Sequence, residues 1–206
     1  FLLDTNCFPA ERHWALAAVQ RIIAMDQVAD RFASLFGSWG FNKAFMRNWM
    51  AHENLPDEQM RDIPKPWNEM QLHISYKFAQ AFSVIGIGVG ALLARKPNRY
   101  RKIGQSALLG SCIGAGPVAF AAWHFKSSTL SEEDIYDRAY RLRYNRHQIR
   151  VDQAYEVSTQ LGLLGGFLVS RGSLGAALAD AGLVGPMGML GAIAYIAYVK
   201  PDKLTW

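Results

Sequence analysis

The histidines of the chain are the side chains most suited to binding a metal or transferring a proton. They are far apart along the sequence. His52 is followed by Glu53, but no second histidine lies four residues after His52, so the spacing of the zinc proteases is absent. Scattered histidines of this kind are typical of surface or interfacial positions. We therefore predict no metal site among His13, His52, His73, His124 and His147.

A glycine-rich segment, Gly86-Ile-Gly-Val-Gly90, has the composition of a dinucleotide-binding loop. A true loop of that class follows a strand, opens a helix and has an acidic residue about 20 positions later. Here the segment lies inside an apolar stretch with no strand before it and no acid at that distance. The sequence also lacks the Gly-x-x-x-x-Gly-Lys-Ser/Thr phosphate loop and any nucleophile–base–acid arrangement. We predict that the protein is not an enzyme and has no cofactor.

Asp180 is a carboxylate within an apolar stretch. Inserting such a group at the centre of a bilayer costs about 2.5–3.5 kcal/mol, so it should face a partner or water. One interpretation is a polar path for a proton, an ion or a substrate. The other is a buried or interfacial acid that hydrogen-bonds within a helix bundle, or an acid in a loop if the last apolar helix begins near Leu183. The second acid, Glu156, lies near the start of its apolar stretch and is expected at the membrane interface.

Arginines and tyrosines alternate in residues 137–150, with tyrosines at every fourth position. Tyrosine and arginine are favoured at protein interfaces, so this segment predicts docking on a partner or on anionic headgroups. Nucleic-acid binding and a plain solvated helix are the alternatives, and we expect no nucleic-acid partner. The docking residues that we predict here and in the basic loop 95–102 are Arg138, Tyr140, Arg141, Tyr144, Arg146, Arg95, Arg99 and Arg101.

Four glycine-rich apolar stretches must position these residues, at about 78–94, 103–125, 153–170 and 174–199. All but two of the 18 glycines lie in this half of the chain. Interior glycine costs a soluble helix about 1 kcal/mol relative to alanine, whereas in lipid the helix is forced and small residues allow close packing. The pattern predicts an all-α fold, a four-span transmembrane helical bundle with Gly-x-x-x-Gly packing. The predicted packing residues are Gly86, Gly90, Gly110, Gly114, Gly162, Gly166, Ala181 and Gly185.

The rest of the chain is predicted as appendages of this bundle. Residues 1–75 read as a helical extension, soluble or interfacial, with a helix at about Asn42–His52 and a proline-containing linker at Leu55–Trp67. Their apolar faces could pack on each other, lie on the membrane or dock on a partner. The membrane bundle then covers residues 76–200. Within it, the charged loop 126–152 should hold a helix that begins at the N-cap Ser131, with Asp134 in its first turn, and ends near Asn145. Residues 201–206 form a short tail.

Charge and cysteine usage limit the partners and the orientation. The net charge is +5, with basic residues at span ends, which favours anionic lipids or a protein partner. Cys7 and Cys112 are far apart and imply no disulfide framework. Four spans place both termini on one side, and the bias of basic loops toward the cytoplasm or matrix places loop 95–102 on the other. Loop 126–152 weakens this bias because it also carries basic residues.

The four short glycine-rich spans, the Gly-x-x-x-Gly pairs in the first three and the basic loop after the first resemble the mitochondrial inner-membrane translocase channel family. That family includes a four-helix accessory subunit of respiratory complex I. The long N-terminal region and the charged loop 126–152 depart from the pattern. The resemblance implies a multi-pass protein of the mitochondrial inner membrane with both termini in the intermembrane space.

From these features we predict a non-catalytic accessory subunit of a respiratory assembly, either complex I or a supercomplex. Its partners would be other membrane subunits and anionic lipids, and we allow for a bound phospholipid of the cardiolipin type. The alternative is a translocase-like or channel component that uses the glycine-lined face and Asp180. The third and fourth stretches could also form a hairpin buried in protein instead of two full spans.

Overall fold

Our computed structural model describes residues 37, 40–51, 55–95 and 98–199 of the chain, without the side chains of residues 50, 51 and 199. The regular structure of this part is helical. No strand occurs in that part, so the all-α prediction is confirmed there. The chain divides into two units, Phe1–Lys65 and Pro66–Trp206. The predicted extension up to residue 36, which includes Cys7, and the tail 201–206 lie outside the described residues.

The described part of the first unit contains two short helices, α1 (Lys43–Ala51) and α2 (Asp57–Arg61). Asn42 organises them, because its Oδ1 accepts from the backbone N–H of Phe45 (2.9 Å) and caps the first turn of α1. Its Nδ2 donates to the carbonyl oxygen of Asp62 at 2.7 Å, which joins the residue after α2 to the start of α1. A small apolar core fills the space between the helices, from Phe41, Phe45, Met46, Met60 and Ile63.

The predicted linker Leu55–Trp67 is more helical than expected. Pro56 immediately precedes α2, and Pro66 is the first residue of α3 (Pro66–Leu93). Proline suits the first turn of a helix, since its fixed φ is helical and the backbone N–H that it lacks would be unpaired there anyway. Pro66 therefore starts α3, while Pro56, the N-cap of α2, has an extended backbone (φ −55°, ψ 149°).

The second unit is a bundle of long helices connected by short segments. After α3 come α4 (Arg99–Ile113), a π-helical turn (Gly114–Val118) and α5 (Ala119–Ser127), which follow one another without a break. Pro117 lies in the π turn. A π turn is one of the local adjustments that accommodates a proline inside a membrane helix. The remaining helices are α6 (Glu132–Tyr144), α7 (Arg146–Val169) and α8 (Leu174–Val199).

Helix α6 begins where the sequence predicts. The Ser131 hydroxyl accepts from the backbone N–H of Asp134 (3.1 Å), and the Asp134 carboxylate accepts from the backbone N–H of Ser131 (3.2 Å). This reciprocal capping box satisfies two backbone donors at the helix start. The C-cap is Asn145, so the predicted end is confirmed as well.

Within the described residues, three helical segments are long and apolar enough to cross a membrane: Pro66–Leu93, Arg99–Ser127 and Leu174–Tyr198. They cover the first, second and fourth predicted spans. The third predicted span lies on α7, which is long enough but carries Arg146, Arg150, Asp152 and Glu156 in its first half and does not reach the same hydropathy. Four spans therefore remain a prediction.

Close backbone contacts define how the long helices run. A Cβ atom placed on Gly86 of α3 would lie 2.8 Å from the Cα of Ala107, and one on Gly114 would lie 2.8 Å from the carbonyl carbon of Phe78. A later residue of α3 thus meets an earlier residue of the following helical segment, so α3 and α4 are antiparallel. Helices α7 and α8, which are joined by a tight turn at residues 170–173, are antiparallel for the same reason. The end of α3, the start of α4 and the turn 170–173 therefore lie at one end of the bundle, and α6 lies at the other.

Candidate functional site

A buried ion pair joins α3 to α6 at the α6 end of the bundle. Arg143 Nε donates to Glu69 Oε2 at 2.9 Å, and Arg143 Nη2 donates to the second carboxylate oxygen. The side chains are 2% and 1% exposed. A buried charge is tolerated only when a partner of this quality compensates it. Arg143 belongs to the arginine-rich segment that the sequence interpretation assigned to docking, but its guanidinium faces inward.

Asp152 of α7 is the centre of a second set of polar contacts with α3. It is buried, and it accepts hydrogen bonds from Lys77 and from Gln80 Nε2, the latter at 2.7 Å. His73 Nδ1 lies 3.7 Å from Asp152 Oδ2. Gln148 Nε2, one turn earlier on α7, donates at 3.3 Å. Lys77, the lysine that is paired with Asp152, lies on the neighbouring helix α3. The Asp152 carboxylate therefore fixes α7 against α3.

Glu156 continues this arrangement one turn further along α7. It is hydrogen-bonded to the hydroxyl of Tyr76 on α3, and Gln160 Nε2 lies 3.3 Å from its Oε1. The neighbouring Tyr155 hydroxyl lies 3.0 Å from Ser111 Oγ of α4. Glu156 therefore faces the interior of the bundle and not only the membrane interface, where it was expected. We call the set Glu69, His73, Tyr76, Lys77, Gln80, Arg143, Asp152 and Glu156 the polar cluster.

The side of the bundle between α3 and α7 is built differently from the other three. Glycines bring the backbones of α3 and α4, of α4 and α8, and of α7 and α8 into direct contact. Between α3 and α7 the bridges are instead the long side chains of the polar cluster. A cleft of about 330 Å³ remains there, lined by Leu72, Tyr76 and Ala79 of α3, Ala115 of the π turn, and Tyr155 and Thr159 of α7.

The predicted packing residues lie at the three close interfaces. Cβ positions at Gly90 and Gly166 fall 2.8 Å from the Cα atoms of Ile103 and Ala177. The position at Gly162 falls 3.0 Å from the Cα of Ala181. At each of these sites a larger side chain would meet backbone atoms of the neighbouring helix. The same holds for Gly86, Gly110 and Gly114, while Gly185 faces the Thr159 side chain. The pattern missed Gly104 and Gly182, which make the same kind of contact between α4 and α8.

Asp180 lies six residues after the start of α8, at an exposed position, so the interpretation that places it in a loop is wrong. Its Oδ2 would lie 2.5 Å from a Cβ atom on Gly166, which shows that the side chain rests against α7. No described residue forms an ion pair with it. Its part in a polar path remains a prediction.

The predicted docking residues of α6 divide between surface and interior. Arg138 and Arg141 are exposed, whereas Tyr140 and Arg146 are half-buried. The Tyr140 and Tyr144 rings are in contact one turn apart, with centroids 5.0 Å apart and planes inclined by 58°. Arg141 donates to Asp137, and this hydrogen bond raises the pKa of the guanidinium further above its ordinary value. At the start of the same helix, hydrogen bonds from Ser131 lower the pKa of the Asp134 carboxyl.

At the opposite end of the bundle, the predicted docking residues Arg95, Arg99 and Arg101 are all exposed. Lys102 adjoins them, and Arg171 lies in the turn between α7 and α8. We call these five residues the basic end. The Arg101 Nη2 atom would lie 2.8 Å from a Cβ atom on Gly175, so the α4 and α8 starts are neighbours there.

A family model described as "Protein of unknown function (DUF1757)" matches residues 45–193. The chain belongs to this family. The DUF1757 match includes the whole polar cluster and the whole basic end. No curated protein matches the chain. Among the described residues, no group of three histidine, cysteine or acidic side chains is arranged to hold a metal ion.

Proposed function

We propose that this DUF1757 protein is a four-span membrane protein that acts as a non-catalytic accessory subunit of a mitochondrial respiratory assembly, complex I or a supercomplex. The observation that carries the proposal is the side of the bundle between α3 and α7. Small residues close the other three sides, whereas this one leaves a cleft with apolar walls. A helix of a neighbouring membrane subunit would fill such a cleft.

The polar cluster supports the fourth span that the proposal requires. Asp152 and Glu156 lower the hydropathy of α7, but both accept hydrogen bonds from α3. Polar groups in a membrane are tolerated when they face the bundle interior and bond to a neighbouring helix. α7 would thus cross the membrane as part of the bundle, although its isolated sequence is too polar.

The α6 helix supports docking outside the membrane. Its exposed Arg138 and Arg141 and the contacting pair Tyr140–Tyr144 are residue types that recur at energetically important contacts. They lie at the same end of the bundle as the N-terminus of α3 and the C-terminus of α8. In the proposed orientation this end faces the intermembrane space and the basic end faces the matrix.

Native electrophoresis of mitochondria in mild detergent, with mass spectrometry along the lane, tests the proposal. We expect the chain to migrate with respiratory-complex subunits. Replacing Ala115 with Phe would fill the cleft and should release the chain from the complex. Ala121→Phe is the matched control, because Ala121 is exposed on α5 outside the cleft. Migration alone or with import components would contradict the accessory role.

The alternative function is a translocase-like or channel component, and it is favoured by the position of Asp180 against the glycine-rich face of α7. Asp180→Asn separates the two proposals. A transport protein would lose flux in reconstituted vesicles while the bundle and its associations stay intact. An accessory subunit would show either no change or a defect of assembly.

A further inference from the structure

The basic end carries positive charge that the described part of the chain does not neutralise. No acidic residue occurs between Glu69 and Glu132 in the sequence. Arg95, Arg99, Arg101, Lys102 and Arg171 form no ion pair among the described residues. The nearest carboxylate along α8 is Asp180, and it lies against α7. Unneutralised charges this close together repel one another, and an anion would relieve that repulsion.

The backbone adds to the positive potential. Asn98 precedes α4 in a left-handed conformation (φ 72°), and its side chain makes no capping hydrogen bond. The first turn of α4 holds no acid and contains Arg99, Arg101 and Lys102. Helix N-termini carry a partial positive charge, so cations there are unfavourable unless an anion is bound nearby.

An amphipathic cleft adjoins these charges. It has a volume of about 270 Å³ and lies between the end of α3 and the start of α4. Leu93 and Leu109 form its apolar walls and are 75% and 62% exposed, while Lys102, Gln105 and Ser106 supply polar atoms. The cleft exists where Gly90 brings the two helices together, since a Cβ there would lie 2.8 Å from the Cα of Ile103.

We propose that the basic end binds one anionic phospholipid in this cleft, with the phosphate near Lys102 and Arg99 and an acyl chain against Leu93 and Leu109. A free phosphate would satisfy the charges but would leave the leucine walls exposed. A neutral lipid would cover the walls but not the charges. The inference requires a membrane location but does not depend on the host complex, so its failure would leave the accessory role untouched.

Titration of the detergent-purified full chain with dioleoyl phosphatidylglycerol or dioleoyl phosphatidylcholine, followed by native mass spectrometry, tests this proposal. Each basic side chain near an anionic lipid contributes roughly fivefold in affinity. R99Q/K102Q should therefore weaken phosphatidylglycerol binding about 25-fold. The matched control is K126Q/R150Q, which removes two exposed charges at the other end. A second variant, Gln105→Trp, leaves the charge unchanged but fills the cleft, and it should weaken binding as well.

Preferential, saturable binding of one phosphatidylglycerol that only R99Q/K102Q and Gln105→Trp reduce would establish the site. Equal binding of phosphatidylcholine would overturn it, and so would equal losses in the two double variants. Complete displacement of the lipid by millimolar inorganic phosphate would show that the ligand is a free anion and would also overturn it. Circular dichroism of each variant separates loss of binding from loss of folding.

Discussion

Arg143 of α6 and Glu69 of α3 are joined by a two-point ion pair that is almost completely buried, although 74 residues separate them. This contact holds α6, the charged helix that follows the second long segment, against the start of α3. Because each charge is satisfied only by the surrounding protein, the pair makes the position of α6 dependent on the folding of the whole bundle.

Removal of Arg143 should therefore destabilise the protein strongly. We expect Arg143→Met to lower the free energy of unfolding by about 3–5 kcal/mol, since it leaves the Glu69 carboxylate buried without its partner. Chemical unfolding in detergent micelles, followed by circular dichroism, measures the change. Arg141→Met removes an exposed ion pair from the same helix and should have little effect. If the two variants were equally stable, the buried pair would not have this role.

Replacing both partners tests the same explanation from the other direction. The double variant Glu69→Leu, Arg143→Met has no stranded charge, so it should recover most of the stability that the single variant loses. A double variant as unstable as Arg143→Met would indicate that packing, and not charge burial, dominates at this site.

Gly86 and Gly88 provide a matched test of helix packing on α3. A Cβ atom at Gly86 would lie 2.8 Å from the Cα of Ala107, whereas one at Gly88 meets nothing within 4 Å. Gly86→Ala should destabilise the bundle by about 1–3 kcal/mol through overpacking. Gly88→Ala should be neutral or stabilising by up to about 1 kcal/mol, because alanine favours helix. The same unfolding assay distinguishes them, and a reversed order would exclude close packing at Gly86.

The capping box of α6 should make the start of that helix sensitive to acid. Hydrogen bonds from Ser131 lower the pKa of the Asp134 carboxyl below its ordinary value of 3.8. A lowered folded-state pKa stabilises the helix fully above the unfolded value, and the effect is lost as the pH falls through the folded value. Amide hydrogen exchange in α6 should therefore be faster in Asp134→Asn than in wild type at pH 6.

The difference in exchange should disappear at a pH where Asp134 is protonated in the folded chain. Asp137→Asn is the control on the same helix. Ser131→Ala should also accelerate exchange, since loss of an N-cap costs about 1 kcal/mol. Equal exchange in wild type and Asp134→Asn at pH 6 would contradict the predicted stabilisation.

Labelling of single cysteines decides whether α7 crosses the membrane. With Cys7 and Cys112 replaced by serine, Asn98→Cys marks the basic end, Ser128→Cys marks the α6 end and Ser173→Cys marks the turn before α8. Four spans predict that an impermeant maleimide labels positions 98 and 173 from the same side and position 128 from the other. Labelling of positions 173 and 128 from the same side would mean that α7 does not span.

Residues that act over a few positions were predictable from the sequence. Ser131 and Asp134 lie three residues apart, so the cap and the start of α6 follow from local hydrogen bonding. The apolar stretches predicted the three long helices because hydropathy and length are properties of a continuous segment. Between residues 55 and 67 the predicted linker did not include α2 or the start of α3 at Pro66, because proline suits both an extended linker and a helix start.

The partner of each charged side chain could not be predicted in this way. The sequence by itself determined which segments are helical, where α6 begins and where small residues recur, since those properties depend on neighbours along the chain. Only the tertiary structure decided that Arg143 is buried on Glu69, that Asp152 and Glu156 face α3, and that α3 and α7 stay apart around a cleft. Those contacts join residues about 70 or more positions apart, and the energy of a charge depends on what surrounds it in space.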